Sequence, residues 1–235
     1  VVMPEFLCHS LPPSLLLVSG PSGYGKTTFV FKYLLNRMQP QARNPNPAAC
    51  VFIYDWKVEA ERRLGIPAVT TEHGCLTALR NRLVIFNPNP MFDARSRVRS
   101  PDGELVVNDD VAGLRWFFQW ARAQCRTGPG KKILLVDEIN KFTSKFSVPF
   151  EILSALKASR VEGLEIIFTA HFPREFHADI FGLHTELVCF RADVAGEFER
   201  IGGVYAGAER LATLARGEFT AFQKDPRSEM RGRVF

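Results

Sequence analysis

No stretch of this 235-residue chain approaches the ~20 consecutive apolar residues that a membrane-spanning helix needs. No basic segment precedes an apolar core near the N-terminus, where Glu5 and three prolines stand instead, so a secretory signal peptide is not expected. Cysteines are few, odd in number and scattered: Cys8, Cys50, Cys75, Cys125 and Cys189 include no pair at zinc-ligand spacing. Reduced thiols in a cytosol-like compartment are therefore expected. Internal repeats and long low-complexity tracts are absent, and so is a strong charge surplus. The net charge is +5 and the pI about 9.1, which is compatible with nucleic acid without demanding it. What remains is an ordinary globular composition, 46% hydrophobic and 23% charged. The length suits one large α/β domain spanning residues 1–235 better than two small ones.

The segment from Leu15 to Thr28 reads LLLVSGPSGYGKTT, an apolar run, a glycine-rich turn and a helix-like continuation. Gly20 and Gly25 bracket four residues and are followed by Lys26 and Thr27, which is the full Walker A pattern in the strand–loop–helix setting it requires. Glycines let backbone N–H groups curl around a phosphate with no Cβ in the way. The new helix turns its positive N-terminal end toward the same anion. Gly20, Ser22, Gly23, Tyr24, Gly25, Lys26, Thr27 and Thr28 are the expected nucleotide contacts. Lys26 is expected to reach the β- and γ-phosphates of ATP, and the Thr27 hydroxyl to hold Mg²⁺. An unrelated glycine turn is the alternative; the strand ahead and the helix behind argue against it.

Apolar runs predict strands at Leu15–Ser19, Ala49–Tyr54, Arg82–Phe86, Ile133–Val136, Leu164–Thr169 and Glu186–Phe190, with a terminal strand at Glu218–Gln223. Helices are expected at Gly25–Met38, Asp109–Arg126, Pro149–Arg160, Phe172–Phe181, Val194–Ile201 and Gly207–Ala215. A projecting loop or small hairpin is expected at about 87–108, and a basic tail at about 224–235. The alternation predicts an α/β fold with a mostly parallel central sheet covered on both faces; together with the Walker A segment it resembles a three-layer P-loop NTPase of the RecA-like, additional-strand type.

Ile133-Leu-Leu-Val-Asp137-Glu138 fits a Walker B strand. Carboxylates at the C-terminal tip of a buried strand approach the P-loop, because ligands sit at that edge of open α/β sheets. Asp137 is expected to assist the metal and Glu138 to activate water. Taken alone, an acidic pair capping the next helix explains the residues equally well. A second acid argues against a small-molecule kinase, which must exclude water.

Asp55-Trp-Lys-Val-Glu59 resembles the Asp-Pro-Lys-Gly-Glu signature of the FtsK–HerA superfamily of DNA-pumping ATPases, with Trp56 for the Pro and Val58 for the Gly. Ser159-Arg-Val-Glu-Gly-Leu-Glu-Ile-Ile-Phe168 is similar to that superfamily's helix-to-strand passage. The strand there usually ends on Thr-Gln with a Pro close behind; this chain has Ala170-His171 and keeps Pro173. These features span Leu15 to Arg191, and the compact size resembles the genome-packaging ATPases of tailless, membrane-containing viruses. The resemblance implies a homo-hexameric ring with ATP at subunit boundaries. It implies an arginine finger acting on the neighbouring subunit, Arg160 by position, with Arg174 and Arg191 in reserve. It places His171 where the family has a polar γ-phosphate sensor. Asp55, Lys57 and Glu59 would couple ATP state to the interface, or form a solvated charged turn.

A ring that moves double-stranded DNA needs cations in its channel that grip phosphates without reading bases. Arg95, Arg97 and Arg99 form a basic comb if their segment is extended. Lys141 with Lys145, and Lys224, Arg227, Arg231 and Arg233, are further candidates. No helix-turn-helix or zinc finger is present, so recognition without sequence specificity is expected. The resemblance thus implies an ATP-driven DNA translocase, a viral packaging motor placed in the host cytoplasm or at a virion vertex, with a capsid or membrane protein as a further partner. A phage assembly or secretion ATPase that moves protein, and a nucleotide-gated scaffold without sustained turnover, are the alternatives.

Overall fold

The structure is a computed structural model that describes residues 14–40, 47–89, 98–99, 105–106, 110–128, 130–144, 146–192, 195–224 and 227–235. The first described strand is β1 (Leu15–Ser19), whose five residues are all buried, and the Walker A turn leads into α1 (Lys26–Met38). Next come β2 (Cys50–Tyr54), α2 (Glu59–Leu64), α3 (Glu72–Ala78) and β3 (Leu83–Phe86). A two-strand hairpin, β4 (Val98–Arg99) with β5 (Leu105–Val106), precedes α4 (Asp110–Thr127) and β6 (Lys132–Val136). The second half holds α5 (Phe150–Glu162), β7 (Leu164–Ala170), α6 (Ala178–Leu183), β8 (Glu186–Cys189), α7 (Ala195–Gly202), β9 (Glu218–Gln223) and β10 (Ser228–Arg233).

Eight strands make one sheet in the order β10-β9-β8-β1-β7-β6-β2-β3. The six from β8 to β3 run parallel, and β9 and β10 add on antiparallel. Successive side chains of a strand point to opposite faces. Leu16, Val18, Val51, Ile53, Ile133, Leu135 and Ile167 therefore pack with Phe29, Val30, Tyr33 and Leu34 of α1. Leu15, Leu17, Phe52, Tyr54, Leu134, Val136, Ile166 and Phe168 face the other way, toward α4, α5 and α6. The result is the expected three-layer α/β fold. Strands apolar on both sides form because both faces are covered by helices.

The aromatic face of α4 is core: Phe117 and Phe118 are fully buried, and Phe117 stacks on Phe86 at 5.1 Å between ring centroids. Three boundaries differ from the sequence expectation. The segment 172–181 is a 3₁₀ turn at Pro173–Glu175 followed by α6, and the expected helix at 207–215 is a 3₁₀ turn, Ala208–Thr213. The described part of the expected basic tail is the edge strand β10. It pairs along all of β9, Gly232 admits the ring of Phe219, and Val234 beyond it is fully buried. Its charged residues Glu229, Arg231 and Arg233 suit a sheet edge, where they discourage pairing with another chain.

Two carboxyls are buried near the starts of β7 and β8. The Tyr33 hydroxyl donates to Glu165, and Arg37 pairs with Glu165 at 3.5 Å. Burial pushes Glu165 up to about 7 against the opposing pull of Arg37 and Tyr33. Burial also pushes Glu186 up to about 7, with Thr185 opposing and Glu165 reinforcing. A carboxyl raised on folding contributes stability that is complete below its unfolded value, near 4.5, and is lost as pH rises through about 7. Urea unfolding is therefore expected to give lower stability at pH 7.5 than at pH 5, by on the order of 2 kcal/mol per group. Glu186→Gln should flatten that slope; an unchanged slope would show that Glu186 is charged in the fold.

Candidate nucleotide site

The P-loop sits at the C-terminal end of β1, and its shape explains its glycines. Gly20, Gly23 and Gly25 have φ of +148°, +79° and +109°. A Cβ on Gly20 would come within 2.4 Å of Phe190, and one on Gly25 within 2.6 Å of Val234. Lys26 Nζ folds back onto the carbonyls of Gly20 and, at 3.1 Å, Pro21. Burial lowers the Lys26 pKa, while Asp137 and Glu138 favour its charged form. Ser22 lies exposed on the loop, and Thr27 and Thr28 fall in the first turn of α1. The Tyr24 carbonyl accepts from the Gly217 N–H at 3.1 Å, tying the loop to the start of β9.

The Walker B acids meet this loop. In the sheet β6 stands between β2 and β7, so its tip is flanked by the residues that leave those two strands. From the β7 side, the Thr169 hydroxyl donates to the Asp137 carboxylate and accepts the Glu138 N–H at 2.9 Å. His171 Nε2 lies 2.9 Å from Glu138 Oε1, and the His171 carbonyl accepts the Gly20 N–H at 3.0 Å. Glu175 fastens this corner by accepting the N–H groups of His171 and Phe172 at 2.9 and 3.2 Å. From the β2 side, Lys57 pairs with Glu138 and lies 3.5 Å from Asp137, and Trp56 Nε1 donates to the Asp137 carbonyl at 3.1 Å. Burial alone would raise the Glu138 pKa, but Lys57, helped by His171, outweighs it and holds the carboxyl below its ordinary value. Thr27, Lys57, Asp137 and Thr169 line one cleft. A hydroxyl and a carboxylate are hard oxygen donors that fit Mg²⁺. Among the described residues there is no cluster of three or more His, Cys, Asp or Glu that could hold a metal, so a Mg²⁺ held by Thr27 and Asp137 would draw the rest of its shell from phosphate oxygens and water.

Other expected residues lie elsewhere. Arg160, in the last turn of α5, donates to the Ser14 hydroxyl at 3.3 Å just before β1. The five residues of β1, roughly 16 Å at the usual rise, separate it from the P-loop of its own chain. Arg95 and Arg97 lie outside the described residues, as does Lys145; Arg99 is in β4, opposite Leu105. Asp55 is not a solvated charge. It is buried, and its two carboxylate oxygens accept the N–H groups of Glu59 and Glu61, capping α2. Thr169 and Arg216 were not anticipated. The first carries no motif and gains its position from strand order; the Arg216 Nε donates to the Gly23 carbonyl at 2.9 Å from a distant part of the chain.

Walker A on β1, Walker B on β6 and an added strand between them define the fold of the additional-strand P-loop ATPases. The comparisons agree. The genome packaging NTPase B204 of Sulfolobus turreted icosahedral virus 2, in complex with ATP-gammaS, aligns with a TM-score of 0.69 and 14% identity, over 94% of this chain and 98% of that one. The pCW3 conjugation coupling protein TcpA, with ATPgS, aligns at 0.59 and 12% identity over 97% of this chain and 62% of that one. The cytoplasmic domain of the type VII secretion ATPase EccC of Thermomonospora curvata aligns at 0.57 and 14% identity over 94% and 25%. No family model and no curated protein sequence matches the chain. The likeness is thus one of fold, and that fold is shared with a viral genome packaging NTPase, a conjugation coupling protein and a secretion ATPase.

Two non-glycine residues of the site have left-handed backbones: Glu138 at φ +51° and Val58 at φ +58°. Val58 occupies the position where the resembled signature has Gly, and a β-branched side chain there is strained by about 1–3 kcal/mol. Gly would lose about 0.5–1 kcal/mol through its freer unfolded chain. Val58→Gly is therefore expected to stabilise by about 1 kcal/mol and raise Tm by roughly 2–4 °C. A lower Tm would show that the Val58 side chain contributes more by packing than its backbone costs.

Proposed function

We propose that this chain is an ATP-hydrolysing translocase of double-stranded DNA, of the kind that packages a viral genome. The observation that carries the reading is the joint between catalytic acid and phosphate loop: Glu138 pairs with His171, whose own carbonyl holds the first P-loop glycine. The fold likeness to a genome packaging NTPase supports the same reading. Double-stranded DNA is the cargo, ATP the fuel, and a homo-hexamer the working form, in the host cytoplasm or at a virion vertex. Among the described residues no helix is long and apolar enough to cross a membrane.

Lys26 exchanges its two carbonyl partners for the β- and γ-phosphates. Thr27 and Asp137 would hold Mg²⁺, which would supply positive charge against the phosphates. Glu138 clamped by Lys57 is a weak base, because a nearby cation favours its charged form. A γ-phosphate competes for the Lys57 ammonium, and the released carboxylate becomes basic enough to take a proton from the attacking water. His171, within reach of Glu138 and the loop, keeps that carboxylate in place and reports on the phosphate. Arg160 acts on the site of the neighbouring subunit, where a guanidinium stabilises transition-state charge. Arg95, Arg97 and Arg99 grip the DNA backbone.

Three outcomes test this. ATPase rate should rise with duplex DNA of any sequence; stimulation by a protein cargo instead would identify a protein-moving ATPase, and indifference to both a scaffold. Glu138→Gln should keep ATP binding and lose turnover by on the order of 10²-fold or more. Arg160→Ala subunits should bind ATP, hydrolyse poorly, and regain activity when mixed with Glu138→Gln subunits. Mixed rings without rescue would remove Arg160 from the neighbour's site.

A further inference from the structure

Strand order gives the P-loop two unlike flanks. On one side β7 and β6 bring His171, Asp137 and Glu138. On the other, β8 and β9 bring Arg216 and Gly217 at the start of β9, with Val234 and Phe235 just past β10. β9 is antiparallel to β8, and β10 antiparallel to β9, so the start of the one and the end of the other share the P-loop edge.

Two contacts join this second flank to the loop, and two more hold the flank together. The Arg216 Nε donates to the Gly23 carbonyl at 2.9 Å, and the Gly217 N–H to the Tyr24 carbonyl at 3.1 Å. The Val234 N–H returns to the Gly217 carbonyl at 2.9 Å, and Lys32 of α1 holds the Val234 carbonyl at 2.8 Å. Between them the Phe235 ring lies on the glycine backbones: a Cβ on Gly217 would come to 2.6 Å of it, and one on Gly25 to 3.3 Å. The ring is still 58% exposed, and the Arg216 guanidinium lies 5.9 Å from its centre. It is an aromatic plane, largely open to solvent, with the Arg216 cation nearby.

A nucleoside triphosphate is elongated, with its base at one end. If its phosphates lie over the P-loop and its terminal phosphate faces Glu138, the nucleoside end must point away from β6, toward β9 and β10. β9 stands two strand spacings from β1, roughly 10 Å. We infer that Phe235 and Arg216 form the base subsite of this pocket: the purine ring stacks on Phe235, and Arg216 contacts the ribose or closes over the base. This rests on the nucleotide reading above and adds the residues that distinguish a nucleotide from a bare polyphosphate. Base stacking on an aromatic ring tolerates many bases, so preference for purines would reflect their larger face.

The test compares two probes by titration calorimetry on the full chain: the non-hydrolysable ATP analogue AMPPCP and inorganic tripolyphosphate. Phe235→Ala should weaken AMPPCP on the order of tenfold, the effect of removing one base–aromatic stack, and leave tripolyphosphate unchanged. Phe235→Trp should retain AMPPCP binding, and Arg216→Ala should weaken AMPPCP more than tripolyphosphate. Equal losses for both probes in Phe235→Ala would mean that the ring only props up the P-loop and would overturn the subsite. Unchanged binding of both would overturn it as well. A wild-type chain that binds neither probe would overturn the nucleotide site as a whole, a failure separable from that of the subsite.

Discussion

The carboxylate of Glu138 is held from both sides, by a lysine from beyond one neighbouring strand and a histidine from beyond the other. That grip exists only because β6 lies between β2 and β7, with all three running in the same direction. Parallel strands finish at one edge, so residues leaving three separate strands meet there without any local sequence relation. Thr169 completes the arrangement from within the sheet, donating to one acid and accepting from the backbone of the next. The hydroxyl is buried, so leaving either bond unmade would carry a desolvation penalty. Strand order thus sets the geometry of the acids, and with it the choice of their partners.

The same edge is where backbone strain collects. Val58 and Glu138 both take left-handed conformations where a strand hands over to a turn. At Glu138 the reversal leads at once into the short 3₁₀ turn Ile139–Lys141. At Val58 it opens α2, which Asp55 caps with two carboxylate contacts. The surrounding core makes this tolerable. Phe142 packs edge-on against both Tyr54 and Trp56, and Lys141 sits 3.8 Å from the centre of the Trp56 ring. Strained residues persist where neighbours over-determine them, and the tips of β2 and β6 are so constrained.

Local chemistry was legible in the sequence. The P-loop, the Walker B strand and the three-layer class come from short patterns whose meaning is carried by adjacent residues. Non-adjacent placement was not legible. Lys57 reads as a residue that couples ATP state to the interface or as part of a charged turn, because nothing in Asp55–Glu59 says that β2 will neighbour β6. Thr169 sits in an apolar strand and looks like one more β-branched filler. The edge strand β10 passed for a tail because its charges and Gly232 hide the alternation; only the Phe219 ring, which needs that glycine, makes sense of it. Residues 59–78 carry α2 and α3, two helices too short to show a helical period. Arg216 stands more than 190 residues from the loop it touches, and its relevance becomes visible only once β9 is known to turn back along β8.

Charge balance decides what the site still needs. In one chain the cluster joins Lys26 and Lys57 to Asp137 and Glu138, with His171 beside them. Two cations against two anions is near neutrality, which is how these groups remain ionised while partly buried. A bound triphosphate adds several negative charges at once. In the proposed cycle Mg²⁺ would offset part of them, and Lys57, drawn toward the phosphate, would leave Glu138 less compensated than before. The pocket would then favour one more cation at the terminal phosphate, where a hydrolytic transition state would spread its charge. Arg160 cannot reach there in its own chain, since it bonds Ser14 at the far end of β1. Under the proposed function, an arginine so placed would serve the P-loop of a neighbouring subunit, and its guanidinium would there meet the deficit of positive charge left inside one chain.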